Sequence, residues 1–207
     1  MEKAPFTGVR YRGKRAAGTR GNWWGIMSDN QLITSEESLL VIIDMQERLV
    51  PAMAEAERLN GNMKRLLGLA AVMGLPVIVT EQEKLGPTIR EIGEKVTSSE
   101  PIPKSAFNCF LSEAFAARVG ETARKTLIIA GIEAHICVAQ TALSGHPRFR
   151  IHVVGDAVAS RSRDNVTVAL DRMRAAGITV TSTEMVIYEL LRKAGTAEFK
   201  AMLPLIK

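Results

Sequence analysis

Residues 126–142 read TLIIAGIEAHICVAQTA, and the fold follows from how this stretch is parsed. Thr126–Ala130 is β-branched and apolar with no polar alternation, the pattern of a strand covered on both faces in a parallel sheet. Gly131 and a short polar turn follow, then Cys137 at the start of a helical stretch. Taken alone, Cys137 has two readings. Free cysteine is among the most buried residue types and can simply be core. A thiol just beyond a parallel strand also stands where open α/β sheets bind ligands.

The same punctuation recurs along the chain. Leu39–Ile43, Val77–Thr80, Ile151–Val154 and Ile178–Thr181 are further short apolar runs, and a sixth strand is expected near PIPKSAF. Amphipathic stretches separate them. Met63, Leu66, Leu67 and Ala70 form one helical stripe, ended by Gly74 and Pro76; Val166, Ala169, Leu170, Met173 and Ala176 form another, ended by Gly177. Thr181 and Glu184 have the spacing of a capping box opening the helix EMVIYELL. The expectation is a single three-layer α/β/α domain with a doubly wound, mostly parallel sheet of about six strands.

Bulk properties agree with such a domain and exclude other classes. The chain has 207 residues, 46% apolar and 24% charged, and its apolar runs are too short to span a bilayer. The net charge of +5 is confined to residues 1–26, which carry six Lys/Arg and one acid and leave 21 of each sign for the rest. A basic surface for nucleic acid is therefore not implied for the folded part. Residues 1–35 are read as a basic, disordered extension and residues 36–207 as the domain. The extension has no apolar periodicity; an RNA-binding arm and an organellar targeting segment are the alternatives to an unpatterned leader upstream of Met27. Two cysteines make no disulfide framework, so a reducing, cytoplasmic setting is expected.

The reactive residues at strand ends are Asp44, Thr80, Glu81, Glu83, Lys104, Cys137 and Asp156. A thiol near its ordinary pKa of about 8.5 is mostly protonated at pH 7. A carboxylate can accept its proton and a cation can favour the thiolate, and Asp44 and Lys104 can supply these. His135 is too close to Cys137 along a tight turn to serve as its base, and Cys109 is read as core or pocket wall. No histidine spacing suits a zinc site, and neither G-x-G-x-x-G nor a P-loop follows the first strand.

Three ordered motifs resemble the isochorismatase-like (cysteine hydrolase) family: VIIDMQERL its D-x-Q start, KSAFNCF its lysine segment, GIEAHICVAQTA its nucleophile segment. VVGDAVASRSRDN and GITVTSTEMVIYELL are similar to its C-terminal half. The match runs from about residue 38 onward and is nearest the branch of isochorismatase-domain-containing proteins and YcaC-type hydrolases. The resemblance implies a catalytic triad of Asp44 as proton acceptor, Lys104 holding carboxylate and thiolate, and Cys137 as nucleophile. It implies a cis peptide at Ile132–Glu133, with the N–H groups of Glu133 and Cys137 facing an oxyanion, and a substrate contact from Gln46. No cofactor is implied. Residues 81–103 lack the histidines of metal-binding nicotinamidases, so no metal is expected. The implied function is hydrolysis of a small amide or related carbonyl substrate by a homo-oligomer, through a thioester-type intermediate. A vinyl-ether hydrolase of the isochorismatase type and a non-catalytic oligomeric module on the same fold are the alternatives.

Overall fold

Six strands form one sheet in the order β3-β2-β1-β4-β5-β6, and every neighbouring pair is parallel. They are β1 (Ser38–Ile43), β2 (Val77–Gln82), β3 (Ile102–Lys104), β4 (Thr126–Ile132), β5 (Arg150–Ala159) and β6 (Thr179–Thr181). The computed structural model describes residues 32–96 and 100–206, which fall within one compact unit. The expected basic extension lies outside the described residues except for its last four positions.

The unbroken apolar strands are explained by helices on both faces. All six β1 side chains are buried. Leu40 and Ile42 pack with α1 (Ala56–Met73), α6 (Thr183–Leu191) and α7 (Ala197–Ile206), joined at one edge by the short α2 (Arg90–Gly93). Leu39, Val41 and Ile43 face the other layer, formed by α3 (Glu113–Glu121), α4 (Ala139–Gly145) and α5 (Arg163–Ala175). Successive strand side chains thus feed opposite cores, so no position is left for polar alternation. No described helix is long and apolar enough to cross a membrane.

The structure moves several expected boundaries. Ile33 is 2% exposed; its N–H donates to Glu189 Oε2 and its carbonyl accepts from Arg192. The folded body therefore begins before residue 36. Helix α6 is capped one residue later than expected, by Ser182, whose hydroxyl accepts from the Met185 N–H at 3.3 Å. The Thr181 hydroxyl is buried with no partner among the described residues. Strand β5 runs on to Ala159, so Asp156 lies within the strand rather than beyond it.

Chain order spreads outward from β1 to β2 and β3 on one side, then restarts at β4 and spreads the other way. The switch point lies between β1 and β4, where open α/β sheets form their crevice. Gly131 makes the close approach there possible. Its φ is +118°, and a Cβ on it would fall 2.1 Å from the carbonyl oxygen of Ile43. Gly131→Ala is therefore expected to cost on the order of 4 kcal/mol or to prevent folding. Denaturant unfolding checks this; a loss below about 1 kcal/mol would mean that β1 and β4 are not locked at this point.

Candidate active site

Asp44 and Cys137 emerge from the two strands that flank the switch point. Asp44 directly follows β1 with φ +53°, a left-handed conformation that short polar side chains tolerate best. Its N–H donates to the Thr80 carbonyl at 3.1 Å, which ties the turn to β2. Cys137 lies in a single wide helical turn, Ala134–Val138, that leads into α4. The Glu133 carbonyl accepts from both the Ile136 and the Val138 N–H, which defines that turn. The Ile132–Glu133 peptide preceding it is cis.

Lys104 ends β3 and reaches both. Its ammonium donates to Asp44 Oδ2 at 2.7 Å, to Gln82 Oε1 at 2.8 Å and to Cys137 Sγ at 3.7 Å. The remaining Asp44 oxygen, Oδ1, accepts from the Thr80 hydroxyl at 2.7 Å. The side chains of Asp44 and Lys104 are both 0% exposed, while Cys137 keeps 6% of its surface. All three residues are thus buried, Cys137 the least completely.

Electrostatics set the resting state. Burial pushes the Cys137 thiol up to about 12, helped by the Asp44 carboxylate; Lys104 opposes this without cancelling it. The resting sulfur is a neutral thiol beside a carboxylate, not the standing thiolate expected from a nearby cation. For Lys104, burial acts to lower its pKa, but the Asp44 carboxylate and, where ionised, the sulfurs of Cys109 and Cys137 outweigh it and the net shift is upward. Cys109 is wholly buried, its thiol pushed up to about 11 by desolvation, with its N–H donating to Thr141 Oγ1. It is core against the same ammonium, as its amphipathic surroundings suggested.

Other strand-end candidates have structural partners instead. Gln46, expected to touch substrate, turns inward: its amide donates to the carbonyls of Gln82 and Gly86 and accepts from the Gln82 N–H. It braces the loop after β2 and is 1% exposed. Glu81 accepts from the N–H and hydroxyl of Thr88. Asp156 accepts from the N–H and hydroxyl of Thr183 and so anchors the start of α6. The Glu133 carboxylate accepts from Arg161 N–H and Nε. His135 Nδ1 lies 2.9 Å from Ser160 Oγ and Nε2 3.5 Å from Asn165, so neither ring nitrogen serves the thiol.

Sequence reasoning gave no role to two residues that touch the group. Thr80 was one of several polar strand ends, and Gln82 carried no signal. Their spacing of two on β2 was the available clue, because it puts them on one face. Among the described residues no three His, Cys, Asp or Glu side chains gather to hold a metal ion. A cavity of about 470 Å³ lined by Leu67, Leu75, Pro76, Lys95 and Arg124 opens where β2 and β4 begin, at the opposite end of the sheet from Cys137.

Comparison with known proteins bears on what such a group does. The isochorismatase domain family matches residues 38–185. Isochorismatase domain-containing protein 2A of the mouse (Mus musculus) is 34% identical over 179 residues, 84% of this chain and 85% of that protein. YcaC from Pseudomonas aeruginosa, in a structure with hexane-2,5-diol and covalent acrylamide, superposes with a TM-score of 0.80 at 26% identity, covering 85% of this chain and 92% of that one. YcaC from Escherichia coli, described as an octameric hydrolase of unknown specificity, gives a TM-score of 0.78 at 27% identity over 84% and 92% of the two chains.

Two outcomes follow from the charge arrangement. Because the Asp44 carboxylate disfavours the thiolate, Asp44→Asn should bring the Cys137 titration down from about 12. Thiolate absorbance, taken as the difference from Cys137→Ala in the same background, checks it; an unchanged or raised titration would refute the coupling. The second concerns stability. Both thiols titrate higher folded than unfolded, so their contribution is complete below their ordinary pKa and is lost as pH rises toward about 11 and 12. Thermal melting should fall progressively above about pH 9, and less steeply in a Cys109→Ala/Cys137→Ala protein.

Proposed function

The chain belongs to the isochorismatase family of hydrolases, and from that premise we propose a metal-independent cysteine hydrolase acting on a small amide or related carbonyl substrate. The observation that carries this reading is the Lys104 ammonium, 2.7 Å from the Asp44 carboxylate and 3.7 Å from the Cys137 sulfur. A nucleophile, a proton acceptor and a fixed positive charge meet at one crevice, which is the set that acyl transfer requires.

The proposed steps use this chain's own groups. Cys137 Sγ attacks the carbonyl carbon while its proton passes to Asp44. The carbonyl oxygen takes the negative charge and is received by the N–H groups of Glu133 and Cys137, near the start of the turn that opens α4. The C–N bond then breaks, the proton on Asp44 goes to the departing nitrogen, and a thioester remains on Cys137. Asp44, ionised again, takes a proton from water as the water attacks the thioester carbon. The C–S bond breaks, the carboxylic acid leaves, and the proton returns to sulfur.

Throughout, Lys104 remains charged, because its raised pKa keeps the ammonium intact across neutral pH. Its task is to hold carboxylate and sulfur together. The neutral resting thiol fits general-base catalysis, in which deprotonation accompanies attack. The covalent acrylamide in the structure of the similar P. aeruginosa YcaC supports a site that accepts a small amide. Similarity to octameric E. coli YcaC supports a homo-oligomer as the working state.

A panel of small primary and secondary amides, run with wild type and Cys137→Ala in parallel, tests the reading. At least one amide should be hydrolysed by wild type, with a mass increase on Cys137 equal to the acyl group less one hydrogen in quenched samples. Cys137→Ala should lose activity by about 10⁴-fold or more. Hydrolysis that survives in Cys137→Ala would rule out the covalent route, and a vinyl-ether substrate turned over without a sulfur adduct would point to the isochorismatase type.

A further inference from the structure

Asp44 leaves β1 and Lys104 ends β3, yet these strands are not neighbours, because β2 runs between them. With adjacent strands about 4.8 Å apart, the two backbones are separated by roughly 10 Å. The lysine must therefore cross over β2 to reach the carboxylate. Strand β2 supplies none of the three reacting residues, but it supplies two polar side chains at that crossing, Thr80 and Gln82. They stand two apart and share a face. Thr80 is in register with Ile43, the residue before Asp44, and Gln82 is in register with Lys104 itself.

We infer that Thr80 and Gln82 are positioning residues: Thr80 fixes the Asp44 carboxylate through Oδ1, and Gln82 fixes the Lys104 ammonium between that carboxylate and the sulfur. Their role in turnover rests on the cysteine-hydrolase reading; their role in presenting the thiol does not.

Donor counting supports the assignment. An ammonium has three N–H donors, and Lys104 has three acceptors: Asp44 Oδ2, Gln82 Oε1 and Cys137 Sγ. Filling all three leaves the head group one orientation. Gln82 is itself held in place, with Nε2 donating to the Ser105 carbonyl at 2.7 Å. Its backbone N–H and carbonyl are both engaged by the Gln46 side chain. The amide therefore turns its oxygen, not its nitrogen, toward the ammonium. On the other side, donors on both Asp44 oxygens fix rotation of the carboxylate. The groups facing Asp44 are Thr80, Lys104 and the thiols of Cys137 and Cys109.

Alkylation of Cys137 by iodoacetamide, followed by peptide mass mapping, reads thiol presentation without any substrate. Thr80→Val keeps the shape and removes the hydroxyl; Gln82→Leu removes the acceptor. Each should alkylate about tenfold or more slowly than wild type at pH 8, with melting temperatures within a few degrees of it, since small misplacements of reacting groups have large rate effects. Thr80→Ser should restore the wild-type rate. On any amide that wild type hydrolyses, Thr80→Val should lower kcat by about tenfold with KM changed by less than about twofold.

Wild-type alkylation rates in Thr80→Val and Gln82→Leu would overturn the inference. So would a Thr80→Ser protein as slow as Thr80→Val, since packing rather than the hydroxyl would then be responsible. If Thr80→Val does not fold, Thr80→Ala takes its place, and failure of both to fold makes the contact purely structural and overturns the inference. A wild type that alkylates but hydrolyses no amide sinks the hydrolase reading and leaves positioning to be decided by the alkylation rates. A wild type whose Cys137 does not alkylate overturns both.

Discussion

The ion pair between Asp44 and Lys104 is the constraint on which the rest of the structure turns. Both side chains are fully excluded from water. Taking either charge out of water alone would cost several kcal/mol, and removing one partner of a buried pair typically costs about 3–5 kcal/mol. A pair of this kind contributes little net stability compared with an apolar substitute, so its presence calls for another explanation. It brings a carboxylate from β1 and an ammonium from β3 to the end of β4, and it tolerates little error in how the sheet is assembled. A slip of one residue in β3 against β2 would turn Lys104 to the opposite face.

That sensitivity explains why backbone features near the pair are unusual. Asp44 takes a left-handed conformation, and Gly131 approaches Ile43 more closely than any side chain would allow. Both lie at the switch point, where β1 and β4 diverge in their connections. The loop after β2 is held by Gln46 and Glu81, whose side chains act on backbone groups rather than on a ligand. Polar residues at strand ends here thus divide into those that meet over the crevice and those that tie down the loops around it.

Much of this was legible in the sequence, and the remainder was not for identifiable reasons. Strands that read as unbroken apolar runs were located directly, whereas β3, only three residues long with Pro103 exposed, was placed by the length of the gap between Thr80 and Thr126. Their order was constrained by the alternation with helices. Asp44, Lys104 and Cys137 were legible because each chemistry-bearing side chain stands at or beyond the carboxyl end of a strand, and because three motifs in order resemble one family. Asp156 belonged to the same class by position, but β5 continues past it, and strand length is set by pairing with β4 and β6 rather than by local propensity. For Gln46, spacing could not reveal that two carbonyls and an N–H of a distant loop engage its amide. Thr80 and Gln82 went unassigned because a hydroxyl or an amide has no reactive signature; their importance comes only from the strand between β1 and β3 being β2.

The neutral thiol changes how the charges are understood. In the resting arrangement the negative charge is on Asp44, next to Lys104, and Cys137 carries its proton. Transfer of that proton moves the negative charge from carboxylate oxygen to sulfur, and Lys104 lies within 2.7 Å of the first and 3.7 Å of the second. The ammonium therefore compensates the charge before and after the transfer, and the crevice carries the same net charge in both states. Little reorganisation of the surroundings is required, which is the main advantage a preorganised site has over water. On the proposed reading, sulfur gives up its proton to Asp44 as it attacks an electrophile, and the fixed charge from β3 makes that transfer possible.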